Sequence, residues 1–109
     1  MKDDRVFLLH ILEATGRIAS YVEGGRADFM ARPIVQDAVI RNLEIIGEAS
    51  KRVSPETRAE HPEIPRAKMS GMRDVLAHGY MAVDLEIVWD VVANRLSGVA
   101  EGLQKIVKE

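Results

Sequence analysis

Apolar residues recur along this chain at steps of three and four, the period of a helix that buries one side. Phe7, Ile11, Ala14, Ile18 and Tyr21 form the first stripe, and Gly24-Gly25 predicts where that helix stops. Pro33 suits the first turn of a second helix, where a missing N–H costs nothing. One stripe of this helix runs through Val35, Val39, Leu43, Ile46, Ser50 and Val53, and a second beside it through Ile34, Ala38, Ile45 and Ala49. An apolar arc that wide predicts neighbours on both sides. Prolines 55, 62 and 65 then interrupt the pattern, predicting short turns or one weak helical turn. A third helix is expected from about Pro65 through Met69, Met72 and Leu76 to Gly79, a C-terminal breaker. Asp84 is a good N-cap for a last helix, whose stripe is Leu85, Val88, Trp89, Val92, Leu96, Val99, Leu103 and Ile106. Its 3–4 alternation is that of antiparallel bundles. No stretch alternates as a strand would. The fold class predicted is all-α, an antiparallel four-helix bundle with short extra turns, forming a single domain over residues 1–109.

Composition narrows the function. The chain has no cysteine, which excludes disulfide scaffolds, thiolate metal sites and thiol nucleophiles. Uninterrupted apolar runs are no longer than five residues, against the ~20 that a spanning helix needs. Two acids in the first five residues lead into a periodic segment rather than a secretory apolar core. A soluble, cytoplasmic protein with no membrane association is the expectation. The net charge is −2, so any surface for a polyanion must be local. The segment 51–74 is mildly basic, with Lys51, Arg52, Arg58, Arg66, Lys68 and Arg73 against four acids.

Chemistry concentrates at one place. His10 lies between Leu9 and Ile11 and reads as a surface or boundary residue, while His61 sits in a proline-flanked turn and reads as a capping or solvent-facing one. Neither belongs to a metal-ligand pattern, and no cofactor is expected. His78 has different company, in Arg73-Asp74-Val75-Leu76-Ala77-His78-Gly79-Tyr80. Asp74 and His78 are one helical turn apart, so the carboxylate can orient the imidazole. Arg73 and His78 are about 140° apart around a straight helix. Bringing both to one phosphate requires the helix to deform near Gly79, or a second copy to face the first across a two-fold axis. Arginine stabilises charge growing on phosphoryl oxygens, and histidine moves the proton of a ribose hydroxyl or a leaving oxygen. The bland alternative is an ordinary surface Asp–His pair at a helix C-terminus.

Several stretches together resemble a known family. Gln36-Asp37-Ala38-Val39-Ile40-Arg41-Asn42-Leu43-Glu44-Ile45-Ile46-Gly47-Glu48-Ala49 is similar to the second-helix signature of HepT-like proteins in the HEPN superfamily. So are His61-Pro62-Glu63-Ile64-Pro65, Gly71-Met72-Arg73, His78-Gly79-Tyr80 and Val83-Asp84-Leu85-Glu86-Ile87-Val88-Trp89. The resemblance implies a four-helix HEPN domain that forms a homodimer and carries a metal-independent ribonuclease motif, Arg-x4–6-His-x-Tyr, here on Arg73, His78 and Tyr80. It further implies a toxin of a type II/VII-like toxin–antitoxin pair. The partner would be an MNT-type nucleotidyltransferase antitoxin that places AMP on Tyr80, and the substrate would be RNA. Asp74 stands where many members have Asn, and Arg66 where many have Trp. The alternatives are a non-catalytic HEPN module binding a nucleotide or the nucleotidyltransferase, and a bundle with a structural role only.

Overall fold

A computed structural model of the chain describes residues 4–60 and 84–107. Within them the chain forms six helices and no strand. These are α1 (Asp4–Tyr21), α2 (Gly25–Ala31), α3 (Pro33–Lys51), α4 (Pro55–Glu60), α5 (Leu85–Asn94) and α6 (Leu96–Val107). The expected helix from Pro65 to Gly79 lies outside the described residues.

Helix α1 stops where the glycine pair predicts. Gly25 takes φ +86°, a left-handed conformation that costs glycine little, and its N–H closes the turn on the Val22 carbonyl at 2.9 Å. Gly24 has a different reason to be glycine: a Cβ there would meet the Asp28 side chain at 2.6–2.8 Å. The segment between this turn and Pro33 is itself helical, a finding beyond the sequence reading. Seven residues give too few turns to show a period, and Phe29 is the one residue of α2 that is buried. Arg32 then extends (φ −121°, ψ 99°), the conformation that a following proline favours, and Pro33 opens α3. The Gln36 amide reaches back across that joint to donate to the carbonyls of Phe29 and Met30, at 2.9 and 3.2 Å.

The first stripe of α3 is buried throughout, from Val35 to Val53. Helix α1 lies against it and runs the opposite way. Arg52 sits 6.0 Å above the Phe7 ring near one end, and Arg17 reaches Asn42 further along. Leu8, Ile11, Ala14 and Ile18 are the inward side of α1, while Tyr21, at 37% exposed, has run past the core. On its other side α1 meets α6, whose Leu103 and Ile106 are buried. Of the expected break, Ser54-Pro55-Glu56 opens the six-residue helix α4 rather than a turn, and the stretch 61–65 lies outside the described residues. Ser54 Oγ accepts from the Thr57 N–H at 3.2 Å as an N-cap, and Pro55 occupies the first turn.

The last stripe is not one continuous helix. Arg95 (φ −123°, ψ −35°) separates α5 from α6 with neither a proline nor a glycine at the break itself. Asp90 gathers both residues at the break, accepting from Asn94 Nδ2 at 2.8 Å and lying 3.7 Å from Arg95 Nε. The break resets the phase. Val91 and Leu96 both face the core although five residues on a straight helix are about 140° apart. Asp84 caps α5 as expected, its Oδ1 accepting from the N–H groups of Glu86 and Ile87 at 2.9 and 3.4 Å.

Candidate functional site

The motif residues Arg73, Asp74, His78 and Tyr80, together with His61, fall between α4 and α5, outside the described residues. What the structure gives is the frame that holds both ends of that segment. Its entrance is α4, docked through Asp4. This carboxylate at the start of α1 is 5% exposed, yet three donors converge on it. The Ser54 N–H lies 3.1 Å away, and the hydroxyls of Ser54 and Thr57 both donate to the same carboxylate. Burial alone would raise the Asp4 pKa, but the hydrogen bonds from Ser54 and Thr57 outweigh it together and hold the group below the usual carboxylate range. Ser54 therefore does two jobs, capping α4 and tying it to α1.

The exit is α5, held by α2. Trp89 packs against Phe29 with ring centroids 5.4 Å apart at a 38° tilt, and Arg26 donates to Glu86. The sequence placed Trp89 on a core stripe, and it sits half-buried on the fully buried Phe29. The two helices that flank residues 61–83 in sequence, α4 and α5, are thus each tied to the α1–α2–α3 frame.

A second polar tie crosses that frame. Asn42, 5% exposed on the inward side of α3, accepts from Arg17 Nε at 2.8 Å and donates to the Ala38 carbonyl at 2.9 Å. Glu13 lies 3.9 Å from the same guanidinium. Sequence reasoning passed over Asn42, Arg17 and Asp4. The available signal was the polar Asn42 standing between Val39 and Leu43 on a core-facing arc.

His10 is exposed, as the sequence suggested, and it borders a groove of ≈ 400 Å³ between α1 and α3. Phe7 and Ile45 give its floor an apolar character, and Arg41, Glu44, Glu48 and Arg52 carry its charges. Opposite signs alternate there, which suits no uniformly charged ligand. Among the described residues no three His, Asp or Glu side chains gather as metal ligands would, and no helix is long and apolar enough to cross a membrane.

Comparison with known proteins extends over nearly the whole chain. The family model described as ribonuclease HepT-like matches residues 11–106. The chain is 42% identical over 81 residues to the "Probable ribonuclease HepT" of Thermococcus cleftensis, covering 74% of each protein. It is 34% identical to a "Putative RNase" of Caldanaerobacter subterraneus over 110 residues, covering all of this chain and 98% of that one. It is also 39% identical over 109 residues to a Methanocaldococcus jannaschii protein named "Gamma-glutamylcyclotransferase and putative RNase". There it spans 99% of its own length but about half (49%) of the relative's. No solved structure matches the chain.

Proposed function

We propose a function from one premise: the chain belongs to the HepT-like ribonuclease family. Its activity is metal-independent endoribonuclease cleavage, and its role is that of the toxin in a toxin–antitoxin pair. The observation that carries this reading is the spacing Arg73-x4-His78-x-Tyr80, which falls inside the span matched to the family.

The chemistry follows from the residue types. RNA supplies its own nucleophile in the ribose 2′-hydroxyl, most accessible in single-stranded segments and loops. His78 takes that proton as the 2′-oxygen attacks phosphorus, or returns one to the departing 5′-oxygen. Arg73 offers a planar, permanently charged fork to the phosphoryl oxygens as negative charge grows on them. Asp74, one turn from His78, fixes the tautomer and aim of the imidazole. Because Arg73 and His78 diverge on a straight helix, the working cleft is assembled in a homodimer, with each copy contributing to a shared groove. The cognate partner is an MNT-type nucleotidyltransferase that transfers AMP to the Tyr80 phenol. The added phosphate brings negative charge beside the cleft and repels RNA by the same electrostatics that attract it.

The test is cleavage of a single-stranded RNA by purified protein in excess EDTA. Wild type is expected to cleave, while Arg73→Ala and His78→Ala lose activity with helicity and dimerisation unchanged. Proton transfer by a positioned side chain contributes roughly 10²–10⁴-fold, which sets the expected loss for His78→Ala. Undiminished cleavage by His78→Ala refutes its role as acid or base.

A further inference from the structure

The last apolar stripe of the sequence fits one straight helix better than the broken one that the fold contains. Trp89, Val92, Leu96, Val99, Leu103 and Ile106 alternate at steps of three and four without a gap. Around the break, however, the fold buries Val88, Val91 and Leu96 and leaves Trp89, Val92 and Val99 half-buried. Relative to α6, helix α5 is therefore turned about its axis by one residue, roughly 100°. The break itself is one residue thick. The Arg95 N–H donates to the Val91 carbonyl at 3.0 Å and the Val99 N–H to the Arg95 carbonyl at 3.3 Å, both at the four-residue spacing of a helix. The ψ of Arg95 is already helical at −35°, and its φ of −123° departs from a helical value by about 60°. Neither proline nor glycine stands at residues 92–97 to enforce that departure. One contact belongs to the bend: Asp90 lies 3.7 Å from Arg95 Nε, although five residues on a straight helix are about 140° apart. Both side chains are more than half exposed, so this pair holds the bend only weakly. The Asp90–Asn94 hydrogen bond spans i, i+4 and suits either form.

We infer that residues 85–107 are a two-state element, with a bent and a straight form and Arg95 as a single-residue hinge. In the bent form Val91 is packed inward, Trp89 leans on Phe29, and Arg26 donates to Glu86. In the straight form the φ of Arg95 returns to the helical value and Val91 turns outward. Trp89 and Val92 then join Leu96, Val99 and Leu103 on one face. The two forms lie close in free energy because each replaces what the other loses. Bending gives the burial of Val91, the ring contact and a weak ion pair; straightening gives an uninterrupted backbone ladder and an undivided stripe. Helix α6 is the fixed arm, since it packs on α1 and its Val107 carbonyl accepts from the Arg5 guanidinium. Helix α5 is the moving arm, restrained by α2 through Phe29 and Arg26. Whatever draws Trp89 off Phe29 favours the straight form. The turn carries with it Asp84, the cap of α5, where residues 61–83 rejoin the described chain.

This device is independent of the ribonuclease reading, and its test involves no RNA. The chain has no cysteine, so spin labels can be placed at chosen sites only. Ile87→Cys/Lys105→Cys puts them at two exposed positions eighteen residues apart, on one face of a straight helix and about 27 Å apart along it. The bend brings them closer. Pulsed dipolar spectroscopy of this labelled chain is expected to show both distances, the shorter one predominating. Arg95→Ala and Arg95→Gly, added to it, both remove the Asp90 contact but differ in helix propensity. The ratio of straight to bent should therefore be roughly fivefold higher with alanine than with glycine. Val91→Ala should favour the longer distance and Val92→Ala the shorter. Trp89 is the only tryptophan, and its emission should follow the same order in the unlabelled variants. A fixed break predicts a single distance throughout, with only the melting temperature changing. One distance common to the labelled chain and all four variants overturns the inference, as does a shift of Val91→Ala and Val92→Ala in the same direction.

Discussion

Replacing Asp4 with asparagine should unlatch α4 from α1 while leaving the shape of the side chain almost intact. Three donors end on this carboxylate, from the Ser54 N–H, the Ser54 hydroxyl and the Thr57 hydroxyl, and the group is buried. Hydrogen bonds to a charged acceptor contribute about 1.5–3 kcal/mol each, but the three are not additive. Asparagine keeps one oxygen to accept with, so a net loss of about 2–4 kcal/mol is expected. For a domain of this size that corresponds to a melting temperature lower by roughly 10–20 °C at neutral pH. The pH dependence carries a signature of its own. Folding holds the Asp4 pKa below its unfolded value, so its stabilisation is fully present above the unfolded value and is lost as pH falls through the folded one. The gap between wild type and Asp4→Asn should therefore be widest near neutrality and narrow on acidification below the ordinary carboxylate range. Thermal or urea melts followed by circular dichroism at a series of pH values measure both quantities. An Asp4→Asn protein as stable as wild type at pH 7, or a gap that widens in acid, refutes the reasoning.

Two further outcomes are expected. Phe29→Ala should cost about 3–5 kcal/mol, because it empties a fully buried site and removes the ring on which Trp89 leans; Trp89 fluorescence should shift to the red along with the lower urea midpoint. Tyr80→Phe should leave the fold intact, since one hydroxyl is worth ~1 kcal/mol. It should also abolish the gain of adenylyl mass on incubation with the cognate nucleotidyltransferase, ATP and Mg²⁺, read by intact mass spectrometry.

Much of the fold can be read from periodicity where a helix is long and one-sided. Val35, Val39, Leu43, Ile46, Ser50 and Val53 step at three and four, and every one is buried. Caps and breakers are equally local in origin, which is why Asp84 and Gly24-Gly25 act as their types suggest. Periodicity fails where the cause lies elsewhere in the chain. Helix α2 is too short to show a period. Helix α4 is fixed by Asp4, whose partners lie some fifty residues away. The break at Arg95 arises with Asp90 drawing on Asn94 and Arg95, side chains that look like ordinary solvated polar residues in sequence. The candidate site has the opposite character. Arg73, His78 and Tyr80 are recognisable from spacing and family likeness, whereas their mutual geometry belongs to residues the structure does not describe.

The position of α6 has a consequence for how the chain acquires its structure in time. Helix α1 is the second layer for both α3 and α6, and the Arg5 guanidinium donates to the Val107 carbonyl across 102 positions of sequence. Contacts this remote close late, because the loop entropy must be overcome before they form. During synthesis the α1–α3 pair can assemble as soon as Lys51 has emerged, but the contact of α1 with α6 waits until Leu96–Val107 has emerged as well. At roughly 5–20 residues per second, that interval lasts on the order of several seconds. A ribosome stalled before Leu96 leaves a nascent chain in which α1 has no α6 to pack on and is open to whatever apolar surface it meets first.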